Sequence, residues 1–347
     1  MSAEQAIATP TVIDFRISET QKHPQRMSKV RELLADSGLE MESDISHMVE
    51  ALADNQLVGC AGLAGNIIKC VVVAKAFRSE NLSARLLTEL ENLALQQGHF
   101  HLFLYTRPCN EVRFTHCGFW PLARSGSEAV LMENTPQGIR RYCRQLQALR
   151  QPGERIGAIV MNANPFTLGH RYLAEQAASA CDWLHLFVVR EDASFFPYNE
   201  RLTMVRAGVA HLRNATVHEG SRYIISRATF PSYFLKETGK VQQAWSEIDA
   251  RIFRDYIVPT LGITHRFIGS EPFCAVTRQY NQTLHGVLAD KAAVVELARL
   301  ETAGNAISAS EARRLLKTQQ FSRLREIVPD TTFSLLQKRY GAYTETA

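Results

Sequence analysis

Three groups of residues in the 347-residue chain combine types and spacings that suit phosphate chemistry. The first is Asn164-Pro165-Phe166-Thr167-Leu168-Gly169-His170, where a hydroxyl, a glycine and an imidazole fall within four positions. Glycine lets the backbone approach an anion closely, and a histidine beside it can aim a ring N–H at the same anion. The second is Ile307-Ser308-Ala309-Ser310-Glu311-Ala312-Arg313, with two hydroxyls and an arginine about one turn away. Hydroxyls and backbone N–H groups at a helix start hold phosphate oxygens, and a guanidinium adds charge-assisted hydrogen bonds. The third is Arg78-Ser79-Glu80-Asn81-Leu82-Ser83, an arginine and two small polar residues at a turn into a helix. The chain has no P-loop, and no nucleophile–base pair stands out. Adenylyl transfer needs neither when the acceptor is already anionic, because positioning and charge stabilisation can carry most of the rate.

Each group must be held by a strand, a loop and a helix. Ile156, Ala158, Ile159, Val160 and Met161 form a near-continuous apolar run, as expected of a strand buried on both faces. Pro165 ends it, and from Gly169 onward Leu173, Ala174, Ala177, Ala178 and Cys181 recur at helical spacing. Trp183 to Val189 reads as a second buried strand, ending in Arg190-Glu191-Asp192. Asn199 is the expected cap of the next helix, whose stripe is Leu202, Val205, Val209 and Leu212, with Arg201 off it. Thr216 to Ile225 suggests a third strand, and a polar and aromatic loop follows, Ser226 to Tyr233. A helical insertion spans Val241 to Leu261. Thr264 to Ile268 then runs into Gly269-Ser270-Glu271-Pro272, and Ala293 to Leu297 is the last strand before the serine motif. Strands alternating with helices predict a doubly wound parallel sheet, with ligands at its carboxyl edge.

The residues before Arg155 have a different order. Residues 1–11 read as a loose tail, Thr11 to Phe15 as a strand, and Met27 to Gly38 as a helix ended by that glycine. Asn55 to Gly65 and Asn66 to Ala74 suggest an antiparallel pair. Leu82, Leu86, Leu90 and Leu93 mark one helix face, and Phe100 to Tyr105 a further strand. Ile139 to Leu149 predicts a helix closing this domain, and Arg150 to Glu154, with Pro and Gly together, a linker. The expected division is a tail at 1–11, a first domain at 12–149, a linker at 150–154 and a second domain at 155–347.

A net charge of +4 is too small to argue for nucleic acid, and no basic run stands out. Seven cysteines without a C-x-x-C do not suggest a disulfide framework. Cys109, His116, Cys117, His99 and His101 match no usual zinc spacing, so no protein-held metal is expected. No apolar run is long enough to span a membrane, and the first residues lack the pattern of a signal peptide, which makes the cytoplasm the expected compartment.

The Thr167-Leu168-Gly169-His170 run resembles the first signature of the nucleotidylyltransferase superfamily. Ile307 to Arg313 resembles the second, with Ala309 removing one hydroxyl but no backbone donor. The order of elements before Arg155, with Asn110, Phe114, Gly118 and Phe119, resembles the GNAT acetyltransferase fold. Its pyrophosphate loop is represented by Arg78 to Ser83, where Asn81 stands at the central glycine and obstructs close approach.

Three longer motifs narrow the resemblance to the citrate lyase ligase family. They are N-x-N-P-F-T-x-G-H, S-x-A-T-F-P-S-Y-F at 226–234 and E-P-F-C-x-V-T-x-x-Y-N at 271–281. That family activates acetate as acetyl-AMP, using ATP and Mg2+. It passes the acetyl group to the thiol of the CoA-derived prosthetic group on the citrate lyase acyl carrier subunit.

The resemblance implies roles for particular residues. His170 and Thr167 act at the α-phosphate, and Asn164, Gly169, Arg201, Gly269, Ser270, Ser308, Ser310 and Arg313 bind the nucleotide. Thr229, Ser232 and Tyr233 belong to the acetate or thiol pocket, and Arg78, Asn81 and Ser83 receive the CoA-like arm. Two other readings stay open: adenylyl transfer to a phosphorylated small molecule, and acetyl transfer from acetyl-CoA.

Overall fold

The computed structural model describes residues 12–341 except 79–80, 191–193, 226–229, 236, 272–273 and 303–304. The chain divides into two compact units. One runs to Gly138 and takes back Pro231–Val241; the other comprises Ile139–Phe230 and everything from Gln242.

The first unit is a mixed sheet. Its elements are β1 (Ile13–Glu19), α1 (Pro24–Asp36), β2 (His47–Ala53), β3 (Gln56–Ala64), β4 (Ile67–Val73), α2 (Leu82–Gln96), β5 (Phe103–Thr106), α3 (Glu111–His116), β6 (Trp120–Ser125) and β7 (Ala129–Glu133). The strand order is β1-β2-β3-β4-β5-β7-β6. All neighbours are antiparallel except β4 and β5, which are parallel and matched over two residues, Ile67 with Phe103 and Ile68 with Leu104. A crossover of this kind needs a helix, and α2 supplies it. The leucines expected to form one helix face, Leu82, Leu86, Leu90 and Leu93, are all buried against the sheet. Each contributes about 1.5–3 kcal/mol by leaving water.

The second unit begins with α4 (Gly138–Gln147), whose Leu146 joins a core with Ile156 and Leu261. The amphipathic helix expected to close the first domain therefore packs with the second. The elements that follow are β8 (Ile156–Met161), α5 (Leu168–Ser179), β9 (Trp183–Val188), α6 (Tyr198–Gly208), β10 (Ala215–His218), α7 (Thr238–Ile252), α8 (Val258–Leu261), β11 (His265–Gly269), α9 (Ala275–Leu288) and β12 (Ala293–Leu297). A two-residue hairpin, β13 (Glu301–Thr302) and β14 (Asn305–Ala306), precedes α10 (Ala309–Lys317), α11 (Phe321–Arg325) and α12 (Asp330–Tyr340).

The sheet is parallel throughout, in the order β10-β9-β8-β11-β12. The chain steps outward from β8 to β10 and returns on the other side at β11. The topological switch point therefore lies between β8 and β11, where open α/β sheets bind ligands. These two strands are matched at His265 with Gly157 and Arg266 with Ala158.

Two expectations are corrected here. The third strand stops at His218 rather than Ile225, and Pro197, not Asn199, precedes α6. Among the described residues no helix is long and apolar enough to cross a membrane.

Candidate functional site

The site in the second unit is built at two helix starts. Thr167 caps α5: its hydroxyl accepts from the His170 backbone N–H at 3.4 Å, while the Thr167 backbone N–H donates to His170 Nδ1 at 3.0 Å. A backbone N–H can only donate, so Nδ1 is an acceptor and the ring proton sits on Nε2. Burial, with the charge of Arg299 second, lowers the His170 pKa to about 4. The imidazole is thus a neutral Nε2–H donor at neutral pH, beside the positive end of a helix.

Ser308 caps α10 by accepting from the Glu311 backbone N–H at 3.1 Å, which leaves its own O–H to donate. Ser310 accepts from Arg313 Nη2 at 3.0 Å, and Arg313 Nη1 donates to the Asn164 carbonyl. Arg313 therefore ties the second motif to the first. The two helix starts abut: a Cβ placed on Gly169 would lie 3.5 Å from the Ile307 carbonyl oxygen.

Asn164 is buried, and its side-chain oxygen accepts from the Phe196 backbone N–H at 3.0 Å, which shapes the loop. Gly269 ends β11 across the switch point, and a Cβ there would meet no described heavy atom within 4 Å. Its carbonyl accepts from Asn281 Nδ2 at 3.2 Å, and the Ser270 backbone N–H donates to the Leu297 carbonyl at 2.8 Å. Asn281 thus gives the motif at 271–281 one structural purpose, to fix this turn.

Arg201 does not fit its expected place among phosphate ligands. It is fully buried, and its guanidinium donates to the Phe196, Asn162 and Val189 carbonyls at 2.8–3.0 Å and to Asn162 Oδ1 at 2.7 Å. It pins the loops after β8 and β9.

Arg299, just after β12, was not singled out from sequence. Its Nε donates to the Ser270 carbonyl at 2.7 Å, its Nη2 pairs with the Glu271 carboxylate, and its charge acts on His170. Alone between a strand and a hairpin it has no spacing that distinguishes it from a surface arginine.

The first unit has a separate candidate site. A cavity of about 200 Å³ is lined by Arg78, Ser83, Arg107, Arg113, Tyr233 and Phe234, among others. Arg78 Nε donates to the Val73 carbonyl at 3.3 Å. Asn81 takes left-handed geometry (φ 53°) immediately before α2, a conformation asparagine adopts more readily than most residues. Ser232 and Tyr233, expected in an acetate or thiol pocket, belong to the first unit, where Tyr233 lines the same cavity as Arg78 and Ser83. Thr229 lies outside the described residues. Arg107 and Arg113 were not anticipated.

The sequence matches the profile of the citrate lyase ligase C-terminal domain over residues 156–336, and that of the acetyltransferase (GNAT) family over residues 13–119. It is 47% identical over 342 residues to the citrate (pro-3S)-lyase ligase of Klebsiella pneumoniae, covering 97% of this chain and 100% of that protein. The chain belongs to the citrate lyase ligase family. The citrate (pro-3S)-lyase ligases of Escherichia coli K12 and Haemophilus influenzae are 46% and 45% identical over 319 and 330 residues. These matches cover 90% and 93% of this chain and 91% and 98% of the two relatives. In this citrate lyase ligase family member, the C-terminal profile spans β8 to α12, and with it both helix starts.

Proposed function

We propose that the second unit joins acetate to AMP and that the chain then delivers the acetyl group to the prosthetic-group thiol of the citrate lyase acyl carrier subunit. A carboxylate oxygen of acetate attacks the α-phosphorus of ATP, the bond to the bridging oxygen breaks, and pyrophosphate leaves. The carrier thiolate then attacks the acetyl carbonyl, the thioester forms, and AMP leaves with the oxygen.

The observation that carries this reading is the neutral His170 ring fixed with Nε2–H free to donate beside the α5 N-terminus, abutting the α10 N-terminus. His170 Nε2–H donates to the α-phosphate as negative charge builds there, and Thr167 holds the ring in place. Ser308, Ser310, Arg313 and the α10 N-terminal amides take the β- and γ-phosphates. The opening at Gly269 and Ser270 accepts the adenosine, with Arg299 closing that edge. Among the described residues no three His, Cys, Asp or Glu side chains converge, so the fit for Mg2+ is one of phosphate oxygens and water. Mg2+ would supply additional charge neutralisation on the phosphates. In the first unit, Arg78 and Ser83, with Asn81 shaping the turn, receive the CoA-like arm of the prosthetic group.

The test is exchange of labelled pyrophosphate into ATP, with Mg2+ present and acetate added or withheld. Exchange that requires acetate is expected. Exchange without acetate, or none even with the acyl carrier subunit added, would sink the proposal.

A further inference from the structure

The cleft between β4 and β5 is occupied by the chain's own residues. After their two matched residues the parallel strands separate, so their inner main-chain groups need partners other than each other. Tyr233 supplies them. Its hydroxyl donates to the Tyr105 carbonyl of β5 at 2.9 Å, and on the β4 side it faces the backbone of Cys70, so one side chain spans the gap.

The flanking residues hold this peg in place. The Ser232 backbone N–H and hydroxyl donate to Glu42 Oε1 at 2.6 and 2.8 Å, and Glu42 Oε2 is gripped at 2.6 Å by buried Lys69. The Glu40 backbone N–H donates to the Tyr233 carbonyl at 3.3 Å, and Arg107 Nη2 donates to the Phe234 carbonyl at 2.7 Å. Yet the segment is a turn, with the Leu235 N–H bonded to the Ser232 carbonyl, and it adds no strand to the sheet. Its grip is a few hydrogen bonds, all but one of them involving a side chain, together with the burial of Tyr233 and Phe234.

The cavity beside it shows what competes. Arg78, Arg107 and Arg113 suit phosphate oxygens, and one of the three, Arg107, already spends a donor on the segment. The Tyr105 C=O presents an acceptor that an amide in an extended ligand would pair with. A phosphorylated chain carrying amide groups could therefore use the arginines and the open strands together, but not while Tyr233 bridges them.

We infer that Ser232–Phe234 is a displaceable strap, and that a phosphorylated, amide-bearing chain gains the β4–β5 cleft by expelling it. The identification of that chain with the prosthetic arm rests on the function proposed above; the competition itself does not.

The test uses the full chain and CoA, which carries phosphates and amides, with saturating AMP to occupy the nucleotide site and neither acetate nor Mg2+ present. Calorimetry is expected to show CoA binding at least tenfold tighter to Tyr233→Phe, which keeps the ring and loses the bridge, than to the wild type. Adding Arg113→Ala is expected to remove that gain. In the wild type, saturating CoA is expected to raise hydrogen exchange at the 232–235 amides. Equal affinity in wild type and Tyr233→Phe, a gain indifferent to Arg113→Ala, no CoA binding in any variant, or unchanged protection of 232–235 would each overturn the strap. Glu42→Gln, which weakens the anchor from outside the cleft, provides an independent variant with the same expected direction. Pyrophosphate exchange reads neither of these signals, so its failure would leave the strap standing.

Discussion

His170→Ala removes two things at once, and their sizes differ enough to be told apart. The first is the Nε2–H donor proposed to serve the α-phosphate; loss of one such preorganised donor typically lowers turnover about 10²–10³-fold, or about 2.7–4 kcal/mol. The second is the acceptor of the Thr167 backbone N–H, in a residue only 1% exposed, and leaving it unsatisfied costs about 1–3 kcal/mol of stability. Acetate-dependent pyrophosphate exchange should therefore fall by about two to three orders of magnitude while the melting temperature falls by several degrees. The unit should still unfold cooperatively, because Phe166 and Ala174 keep their core contacts. The pH profile carries the sharper consequence. With its pKa lowered to about 4 by burial and by Arg299, His170 stays neutral from about pH 5 upward and should add no inflection near 6.5 to the exchange rate. Exchange within threefold of wild type in the variant, or a wild-type inflection near 6.5 that the variant lacks, would refute the neutral-donor argument.

Other perturbations have equally definite outcomes. Arg201→Ala would leave the Phe196, Asn162 and Val189 carbonyls without their shared donor, so a loss of about 3 kcal/mol or more in denaturant unfolding is expected. Gly208→Ala would set a Cβ 2.3 Å from the buried Phe166 ring, an overpacking worth about 1–3 kcal/mol in the same assay. Buried His185 and His218, hydrogen-bonded at 2.8 Å, have pKa values lowered to about 4 and about 3 by burial. Because the unfolded chain then binds more protons, their stabilisation is present above pH 6.5 and is lost as pH falls toward those values; melting curves from pH 7 to 4 should show the decline, and a flat response would contradict the burial. Arg313→Ala should raise the KM for ATP in the exchange assay by about tenfold or more, since on the proposed function it removes a charge serving the phosphates as well as the tie to the Asn164 carbonyl.

Local sequence was informative wherever local chemistry decided the structure. The apolar run at 156–161, the leucine face at 82–93 and the serine cap at Ser308 are short-range signals, and each became the element expected. Three features depend on distant partners and left no such mark. Arg201 sits among helical residues and only the carbonyls of Phe196, Asn162 and Val189 reveal why it is buried. Arg299 gains its place from Ser270 and Glu271. Tyr233 lies in a motif that sequence order assigns to one unit, while its hydroxyl bond at Tyr105 belongs to the other. The helix at 138–147 was legible as a helix, but which core would take its apolar face was not, because a stripe of apolar residues specifies no partner.

The return of Pro231–Val241 to the first unit also bears on how the chain is made. Synthesis proceeds from the N-terminus at about 5–20 residues per second. About ninety residues separate Gly138 from Pro231, so the nascent first unit waits several seconds before Tyr233 exists to bridge β4 and β5. During that interval the cleft is open to water and to any other partner of similar chemistry. For the same reason a fragment cut after Gly138 is not the first unit of the intact protein, since it lacks the residues that complete one wall.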